Sequence, residues 1–221
     1  MQYLLVHSPL VGPSSWRWVA DALGKNGHHA LVPDLRRAVE DGNPDDFAAA
    51  AAHSTISIGA PLGIVGHSGA GPFLPIIASQ LNVDPEVIVF VDAVLPPCDG
   101  SFRPSAGFMR FLEAHTEGQL LPKWSEWWSK QVMEELVPDD DQRSAFVAEM
   151  PRVPLSFYQR SLIMPPRWCD TRCAYLQLSD AYQADASRAT SLGWTVESRR
   201  GTHMDIVNFG EEIAKSLEKL S

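Results

Sequence analysis

The chain has 221 residues, of which 45% are hydrophobic, and it carries a formal net charge of −9 at pH 7. This length fits one domain that can bury a full core, and we expect a single domain over residues 1–221. The acidic balance offers no basic footprint, so neither a nucleic acid nor an anionic membrane surface is expected as a partner.

The first residues and the cysteines bear on the cellular compartment. Residues 1–6 lack the basic flank and cleavage site of a signal peptide, are too short to span a membrane, and predict a strand. Cys98, Cys169 and Cys173 form no even set, so we expect reduced thiols and a cytoplasmic protein. Cys169 and Cys173 have no second ligand pair nearby, so we expect no metal, and we also expect no cofactor.

Short apolar runs rich in β-formers alternate with helical stretches along the chain. This alternation predicts a mostly parallel sheet of roughly six strands with helices on both faces. Several runs lack alternating polar residues, as expected of strands buried on both faces. The predicted strands are residues 3–7, 30–33, 62–66, 87–91, 174–178 and 195–199.

Four helices are predicted between and after these strands. Residues 14–25 place their apolar side chains on one face and are followed by Gly27, and residues 47–53 are rich in alanine. Residues 71–81 predict a helix that Pro75 should bend. Residues 211–220 predict an amphipathic helix at the end of the chain.

Residues 96–170 break the alternation of strands and helices. This segment is rich in proline and contains Trp124, Trp127 and Trp128, and we interpret it as a mostly helical cap inserted between the fourth and fifth strands. The helical spacing of these tryptophans allows one face to meet the core and another to line a pocket. They are therefore the candidate substrate-binding residues, in an apolar pocket suited to a bulky hydrophobic small molecule.

Ser68 lies in the segment 64–71, where a buried strand runs into a glycine-rich turn and an apolar helix. This context is typical of a nucleophile elbow, in which small neighbours allow a sharp turn that exposes the serine hydroxyl. A serine hydroxyl needs a base to take its proton, and the base needs a third group to hold its tautomer.

Three histidines are candidates for the base. His203 follows the last strand and precedes the last helix, where functional groups gather at the carboxyl ends of strands. His67 precedes the serine and is expected to point elsewhere, and His115 lies in the cap. The sequence therefore favours His203.

The candidate acids follow two neighbouring strands. Asp180 stands at the carboxyl end of the fifth predicted strand and is favoured. Asp92 occupies the equivalent place one strand earlier and is the alternative, and Asp185 is a third candidate. An aspartate after a strand also commonly caps the next helix.

Several segments together resemble the α/β-hydrolase-fold superfamily, and within it the compact plant-type esterase and hydroxynitrile lyase group and its bacterial relatives. They are residues 7–16, 33–36, 66–71, 91–97, 179–180 and 201–203. The resemblance covers nearly the whole chain outside the cap. It implies an α/β-hydrolase fold with a catalytic triad of Ser68 as nucleophile, Asp180 as acid and His203 as base.

Two positions depart from that group. Ala70 stands where a second elbow glycine is usual, and residues 7–9 read His-Ser-Pro where relatives commonly have His-Gly-small. The resemblance implies that the third of these residues donates its amide to the oxyanion, but Pro9 has no N–H. Gly69 N–H would remain, with Leu10 N–H or the Ser8 hydroxyl as possible substitutes. Loss of one donor costs about 2.7–4 kcal/mol.

Three functions follow from these residues. The leading hypothesis is a serine hydrolase acting through an acyl-enzyme on an ester, thioester or lactone of a hydrophobic small molecule. Pro9 motivates an alternative, a lyase, cyclase or decarboxylase of specialised metabolism that uses Ser68 and His203 as acid and base. The third is a ligand-binding receptor or retired hydrolase, against which the intact candidate residues argue. The sequence predicts no oligomeric state.

Overall fold

A six-stranded parallel sheet forms the centre of the computed structural model, which describes residues 1–55, 59 and 61–221. The strands in chain order are β1 (Gln2–Val6), β2 (His29–Leu31), β3 (Leu62–His67), β4 (Val87–Val91), β5 (Ser101–Phe102), β6 (Leu162–Ile163), β7 (Cys173–Gln177) and β8 (Thr195–Ser198). The large sheet has the order β2-β1-β3-β4-β7-β8, and β5 pairs with β6 separately. The predicted six-stranded α/β architecture is confirmed.

The three strands at the centre of the sheet are buried along their whole length. Because successive side chains of a strand point to opposite faces, each strand contributes to two cores. Ile64 and Phe90 belong to one hydrophobic cluster, and Val65 and Val89 belong to the cluster on the other face. This two-sided burial explains why these strands are continuous apolar runs in the sequence.

Helices cover both faces of the sheet. In chain order they are α1 (Arg17–Lys25), α2 (Arg36–Glu40), α3 (Pro44–His53), α4 (Leu74–Ser79), α5 (Ala106–His115), α6 (Lys130–Leu136), α7 (Asp140–Ala148), α8 (Ser156–Gln159), α9 (Gln183–Ser191), α10 (Asp205–Asn208) and α11 (Gly210–Leu220). Short 3₁₀ segments cover Pro13–Trp16, Ser68–Phe73, Trp124–Trp127, Trp168–Asp170 and Asp180–Tyr182.

Three predicted helices differ from the structure at their first residues. The helix predicted at 14–25 is a 3₁₀ segment, Pro13–Trp16, followed by α1. The helix predicted at 47–53 begins at Pro44, because the Asn43 side chain accepts a hydrogen bond from Asp45 N–H and caps the first turn. The helix predicted at 71–81 is instead a 3₁₀ segment, Ser68–Phe73, followed by α4. Pro75 stands in the first turn of α4, where a proline is tolerated, and so bends no helix interior.

The segment between β4 and β7 contains α5 to α8 and the antiparallel pair β5–β6. A disulfide joins Cys98 to Cys169 across this segment, with 5.5 Å between the two Cα atoms. The expectation of three reduced thiols is therefore wrong, because the β5–β6 pairing brings the two ends of the segment together. Cys169 is unavailable to a metal, and Cys173 alone is a free, buried thiol.

The disulfide also removes the main support for a cytoplasmic location, since disulfides persist mainly in oxidising compartments. Over the described ranges, none of the helices combines the length and apolar character needed to cross a membrane.

Candidate active site

Ser68 stands at the junction between β3 and the 3₁₀ segment Ser68–Phe73. Its φ is 58°, in the left-handed region that a residue with a side chain rarely adopts, at a cost of order 1–3 kcal/mol. Val94 N–H donates to Ser68 O at 3.1 Å and helps to hold this conformation. Such strain is maintained by the surrounding structure, and it is typical of a nucleophile elbow.

Two glycines beside Ser68 leave room for other parts of the chain to pack closely against the elbow. A Cβ at Gly66 would lie 2.6 Å from Leu74 Cδ2, and a Cβ at Gly71 would lie 2.0 Å from Val94 O. The glycine that is needed after Ser68 for close packing is therefore Gly71 and not residue 70. The methyl group of Ala70 is accommodated in the core. The departure at Ala70 leaves the sharp turn intact.

Asp92 and His203 are joined by a hydrogen bond beside this turn. His203 Nδ1 donates to Asp92 Oδ2 at 2.7 Å, and the Asp92 side chain is fully buried. Leu178 N–H and Ser179 N–H donate to Asp92 Oδ1 at 2.9 and 3.0 Å, and the Ser179 hydroxyl donates to Oδ2 at 2.6 Å. Burial alone would raise the pKa of Asp92, but the hydrogen bonds from His203 and Ser179 outweigh it and lower that pKa below its usual value.

The preference for Asp180 over Asp92 as the partner of His203 is corrected by this geometry. Asp180 is exposed at the start of the 3₁₀ segment Asp180–Tyr182, and Asp185 Oδ1 accepts a hydrogen bond from Leu95 N–H at 2.8 Å. The physical reason lies in the backbone of Asp92, whose φ of 42° is left-handed. With that backbone, the Asp92 carboxylate accepts from the amides that follow β7 and meets His203 there.

The loop that carries His203 is fixed by Asp205, a buried residue at the start of α10. Asp205 Oδ1 accepts from the N–H and the hydroxyl of Thr202 at 3.0 and 2.9 Å.

The bond to Asp92 also fixes the tautomer of His203. Since a carboxylate only accepts hydrogen bonds, the Nδ1 atom of His203 that faces Asp92 carries a proton. In the neutral imidazole, Nε2 is then free to accept a proton.

Two aromatic rings stack on His203. The ring centroids of His67 and His203 are 4.3 Å apart, and those of Tyr182 and His203 are 5.0 Å apart at an interplanar angle of 12°. His67 Nε2 donates to the backbone oxygen of His203 at 3.0 Å. Burial and the neighbouring His203 hold the pKa of His67 well below its usual value, so His67 is neutral. The third histidine candidate, His115, instead lies in the cap against Phe111.

Tyr182 is a site residue that the sequence reasoning missed. A hydrogen bond of 3.2 Å joins its hydroxyl to Ser68 Oγ, which in this state is paired with Tyr182 instead of His203 Nε2. Burial raises the pKa of Tyr182 to about 12, so the phenol stays protonated at neutral pH. The available signal was its position among the loops at the carboxyl ends of the strands.

The loop after β1 lies next to Gly69 and is held by His7. Leu35 N–H donates to Nε2 of the buried His7 at 3.1 Å, so Nδ1 donates to Ser8 O at 2.9 Å. Leu10 N–H points to Ser8 Oγ at 3.4 Å, and that oxygen would lie 3.2 Å from a Cβ at Gly69. The Ser8 hydroxyl and Gly69 N–H are therefore the candidate oxyanion donors, while Pro9 contributes none.

Two cavities adjoin Ser68 and Gly69. A space of about 20 Å³ is lined by Ser68, His203, Ser8 and Trp124, and a larger cavity of about 320 Å³ begins at Gly69. The wall of the larger cavity is mostly apolar and includes Phe73, Val94, Phe102, Phe108, Phe157 and Leu162.

The three tryptophans predicted to bind substrate have different surroundings. Trp124 lines the small cavity. Trp127 packs against Phe111 and donates its Nε1–H to Pro122 O at 3.1 Å, while Trp128 is 42% exposed and meets the edge of Trp124. The structure therefore brings Trp124 to Ser68, but Trp127 and Trp128 line neither cavity described above.

Comparisons with known proteins agree with this fold. A model of the alpha/beta hydrolase family matches residues 3–213. No curated protein matches the chain significantly in sequence.

Three solved structures illustrate the likeness. An extracellular alpha/beta-hydrolase from a Paenibacillus species, described as sharing structural and functional homology with tobacco salicylic acid binding protein 2, has a TM-score of 0.80 at 17% identity, covering 100% of this chain and 99% of its own. Tomato methylketone synthase I in complex with 2-tridecanone has a TM-score of 0.74 at 12% identity, covering 100% and 98%. A methylesterase from Arabidopsis has a TM-score of 0.74 at 10% identity, covering 99% and 98%. At these identities the likeness is one of fold.

Proposed function

The chain belongs to the alpha/beta hydrolase family, and from this premise we propose that it is a serine-dependent carboxylic ester hydrolase acting on a hydrophobic small molecule. The observation that carries the proposal is the buried Asp92 carboxylate bonded to His203 beside the strained Ser68. The methylesterase from Arabidopsis, which has a similar fold, lends support.

In the proposed reaction, Ser68 Oγ attacks the acyl carbon while His203 Nε2 takes its proton. Asp92 holds the tautomer of His203 and stabilises the imidazolium that forms. The negative charge on the acyl oxygen is met by Gly69 N–H and the Ser8 hydroxyl. The imidazolium then gives its proton to the leaving alcohol, and a water molecule activated by His203 releases the acid and restores Ser68.

Tyr182 has a proposed role in the same sequence. Its hydroxyl pairs with Ser68 Oγ at rest, and rotation of the serine towards His203 releases it. The freed phenol then lies beside the reacting atoms and donates a hydrogen bond to the leaving-group oxygen. Because the pKa of Tyr182 is raised to about 12, the phenol donates without losing its proton.

The proposed substrate class follows from the larger cavity. Its volume of about 320 Å³ suits a small organic molecule, and four phenylalanines stand on its mostly apolar wall. Gly69, which is also a proposed oxyanion donor, lines the cavity. An aromatic or branched apolar group of the ester would therefore occupy it while the acyl carbon lies at Ser68.

Labelling with a fluorophosphonate tests the proposal, together with turnover of p-nitrophenyl esters of increasing acyl length. Wild type should be labelled at Ser68, and Ser68→Ala should lose both labelling and turnover. Ser79→Ala is the matched control, because Ser79 is exposed and its hydroxyl donates to Ile76 O within its own helix. A wild type that is never labelled and cleaves no ester would refute the proposal, and tight ligand binding unchanged in Ser68→Ala would then favour a receptor.

A second candidate is a non-hydrolytic enzyme, such as a lyase or decarboxylase, in which Ser68 and His203 act as acid and base. Pro9 favours it, because that position supplies no amide to an oxyanion. Tomato methylketone synthase I shares the fold and was solved with 2-tridecanone. Turnover in H₂¹⁸O separates the two: an acyl-enzyme route places one solvent oxygen in the acid product, whereas elimination or decarboxylation adds none to an acyl carbon.

A further inference from the structure

Two arginines stand on the wall of the larger cavity, which is mostly apolar. Arg103 and Arg160 line it together with Phe102 and Phe157, and both arginines are exposed to solvent. An apolar cavity with convergent charged groups is the usual form of a small-molecule site in which the charges fix orientation.

The fold holds both guanidinium groups at this cavity. Phe102 of β5 pairs with Leu162 of β6, which places the next residue, Arg103, opposite Ser161. Arg103 Nε donates a hydrogen bond to the Ser161 hydroxyl. Arg160, the residue before Ser161, donates from Nη1 to Asn43 Oδ1 at 2.5 Å. The Cys98–Cys169 disulfide ties together the two ends of the segment that contains these strands.

Among the described residues, neither arginine of the cavity wall is neutralised by a carboxylate. Arg36 pairs with Asp34 and Arg152 pairs with Glu117, whereas within the described part of the chain Arg103 and Arg160 form no ion pair. Each is held by a neutral oxygen, which leaves most of its five N–H donors free. Two like charges at one cavity repel each other, and an anion placed between them removes that repulsion.

We propose, resting on the proposed ester hydrolysis, that the substrate carries a carboxylate at the end remote from the ester, and that Arg103 and Arg160 bind this carboxylate. The planar forks of arginine match a carboxylate, which can accept two parallel hydrogen bonds. The apolar body of the substrate lies along Phe102 and Phe157, and the acyl carbon lies beyond Gly69 at Ser68. The substrate class is therefore a half-ester or an ester of an apolar acid bearing a second, free carboxylate.

A matched pair of substrates tests the proposal. p-Nitrophenyl hexanoate is neutral, and mono-p-nitrophenyl adipate ends in a carboxylate on an acyl chain of the same length. Wild type should prefer the adipate half-ester in kcat/KM. Arg103→Gln/Arg160→Gln should lose about 10- to 100-fold in kcat/KM towards the half-ester, mostly through KM, and should lose far less towards the hexanoate. Arg110→Gln, an exposed arginine of α5 that does not line the cavity, is the control.

Three results would overturn the inference, and two of them leave the proposed ester hydrolysis intact. It fails if wild type cleaves the hexanoate but shows no preference for the half-ester, or if the double variant loses both substrates equally. In either case the esterase proposal stands. If neither ester is cleaved, the esterase proposal fails, and calorimetry with 6-phenylhexanoate decides the anion site: about tenfold weaker binding in the double variant supports it, and equal binding refutes it.

Discussion

Replacing Asp92 by asparagine isolates the role of its charge from its role in the fold. The asparagine carbonyl oxygen can still accept from Leu178 N–H and Ser179 N–H, as Oδ1 does now. The amide nitrogen would replace Oδ2 and face two other donors, His203 Nδ1–H and the Ser179 hydroxyl. His203 escapes this conflict by moving its proton to Nε2, and in that tautomer it cannot take the proton of Ser68.

The expected loss is large because the tautomer decides whether a base is present. The same change in a serine protease triad lowers kcat by about 10⁴-fold, which corresponds to about 5.5 kcal/mol of barrier. We expect Asp92→Asn to lower kcat by about 10³- to 10⁴-fold here. Asp180→Asn should stay within about twofold of wild type, because Asp180 is an exposed side chain outside the Asp92–His203 pair.

Two assays check the prediction. Steady-state hydrolysis of the best p-nitrophenyl ester gives kcat, and the rate of fluorophosphonate labelling reports on Ser68 directly. Circular dichroism and urea unfolding show whether Asp92→Asn is folded under the assay conditions. If Asp180→Asn loses activity while Asp92→Asn keeps more than a tenth of it, the assignment of Asp92 is wrong.

Three further predictions concern other parts of the structure. Tyr182→Phe should lower kcat/KM by about 10- to 100-fold for alkyl esters but far less for p-nitrophenyl esters. The reason is that p-nitrophenolate is a good leaving group that needs no hydrogen-bond donor. An equal loss on both kinds of ester would contradict a role of Tyr182 at the leaving group. Cys98→Ser/Cys169→Ser should lower the free energy of unfolding by about 2–4 kcal/mol in urea titrations, since the disulfide closes a loop with a sequence separation of 71; an unchanged value would mean that the bond does not form. Burial lowers the pKa of His7 from 6.5 to about 4. Between these pH values His7 binds a proton in the unfolded chain but not in the folded protein, so the free energy of unfolding falls as the pH falls. The contribution of His7 to that loss should be about 3 kcal/mol at pH 4 and negligible above about pH 7.5, and His7→Gln should show a correspondingly flatter pH dependence.

The sheet and the positions of Ser68 and His203 could be predicted because their signals are local. A strand buried on both faces is a short apolar run, and an elbow needs small residues at fixed spacing around Ser68. His203 could be located by the same logic, since it follows the last strand of the sheet. Each of these inferences depends on residues that are close together in the sequence.

The acid and the disulfide depend on information that no local pattern carries. Asp92 and Asp180 both follow strands, and the left-handed backbone of Asp92 is unusual for a residue other than glycine. The Cys98–Cys169 bond depends on the pairing of β5 with β6, strands of two residues each, which are too short to show a periodic pattern. The wall of the larger cavity was missed because its aromatic residues come from separate elements.

The ring stack at His203 determines which part of the proposed machinery moves. Asp92 anchors one nitrogen of the imidazole, and two rings pack on the imidazole itself, so the base stays in place. The step that brings Ser68 from Tyr182 to His203 is then a single side-chain rotation, which takes picoseconds to nanoseconds. Enzymes commonly turn over about ten times a second, so a rotation on this timescale is about eight orders of magnitude faster than one turnover and would not limit the proposed reaction. In the proposed mechanism, a serine held by a phenol at rest is therefore not bonded to its base, yet becomes available almost at once when a substrate displaces that bond.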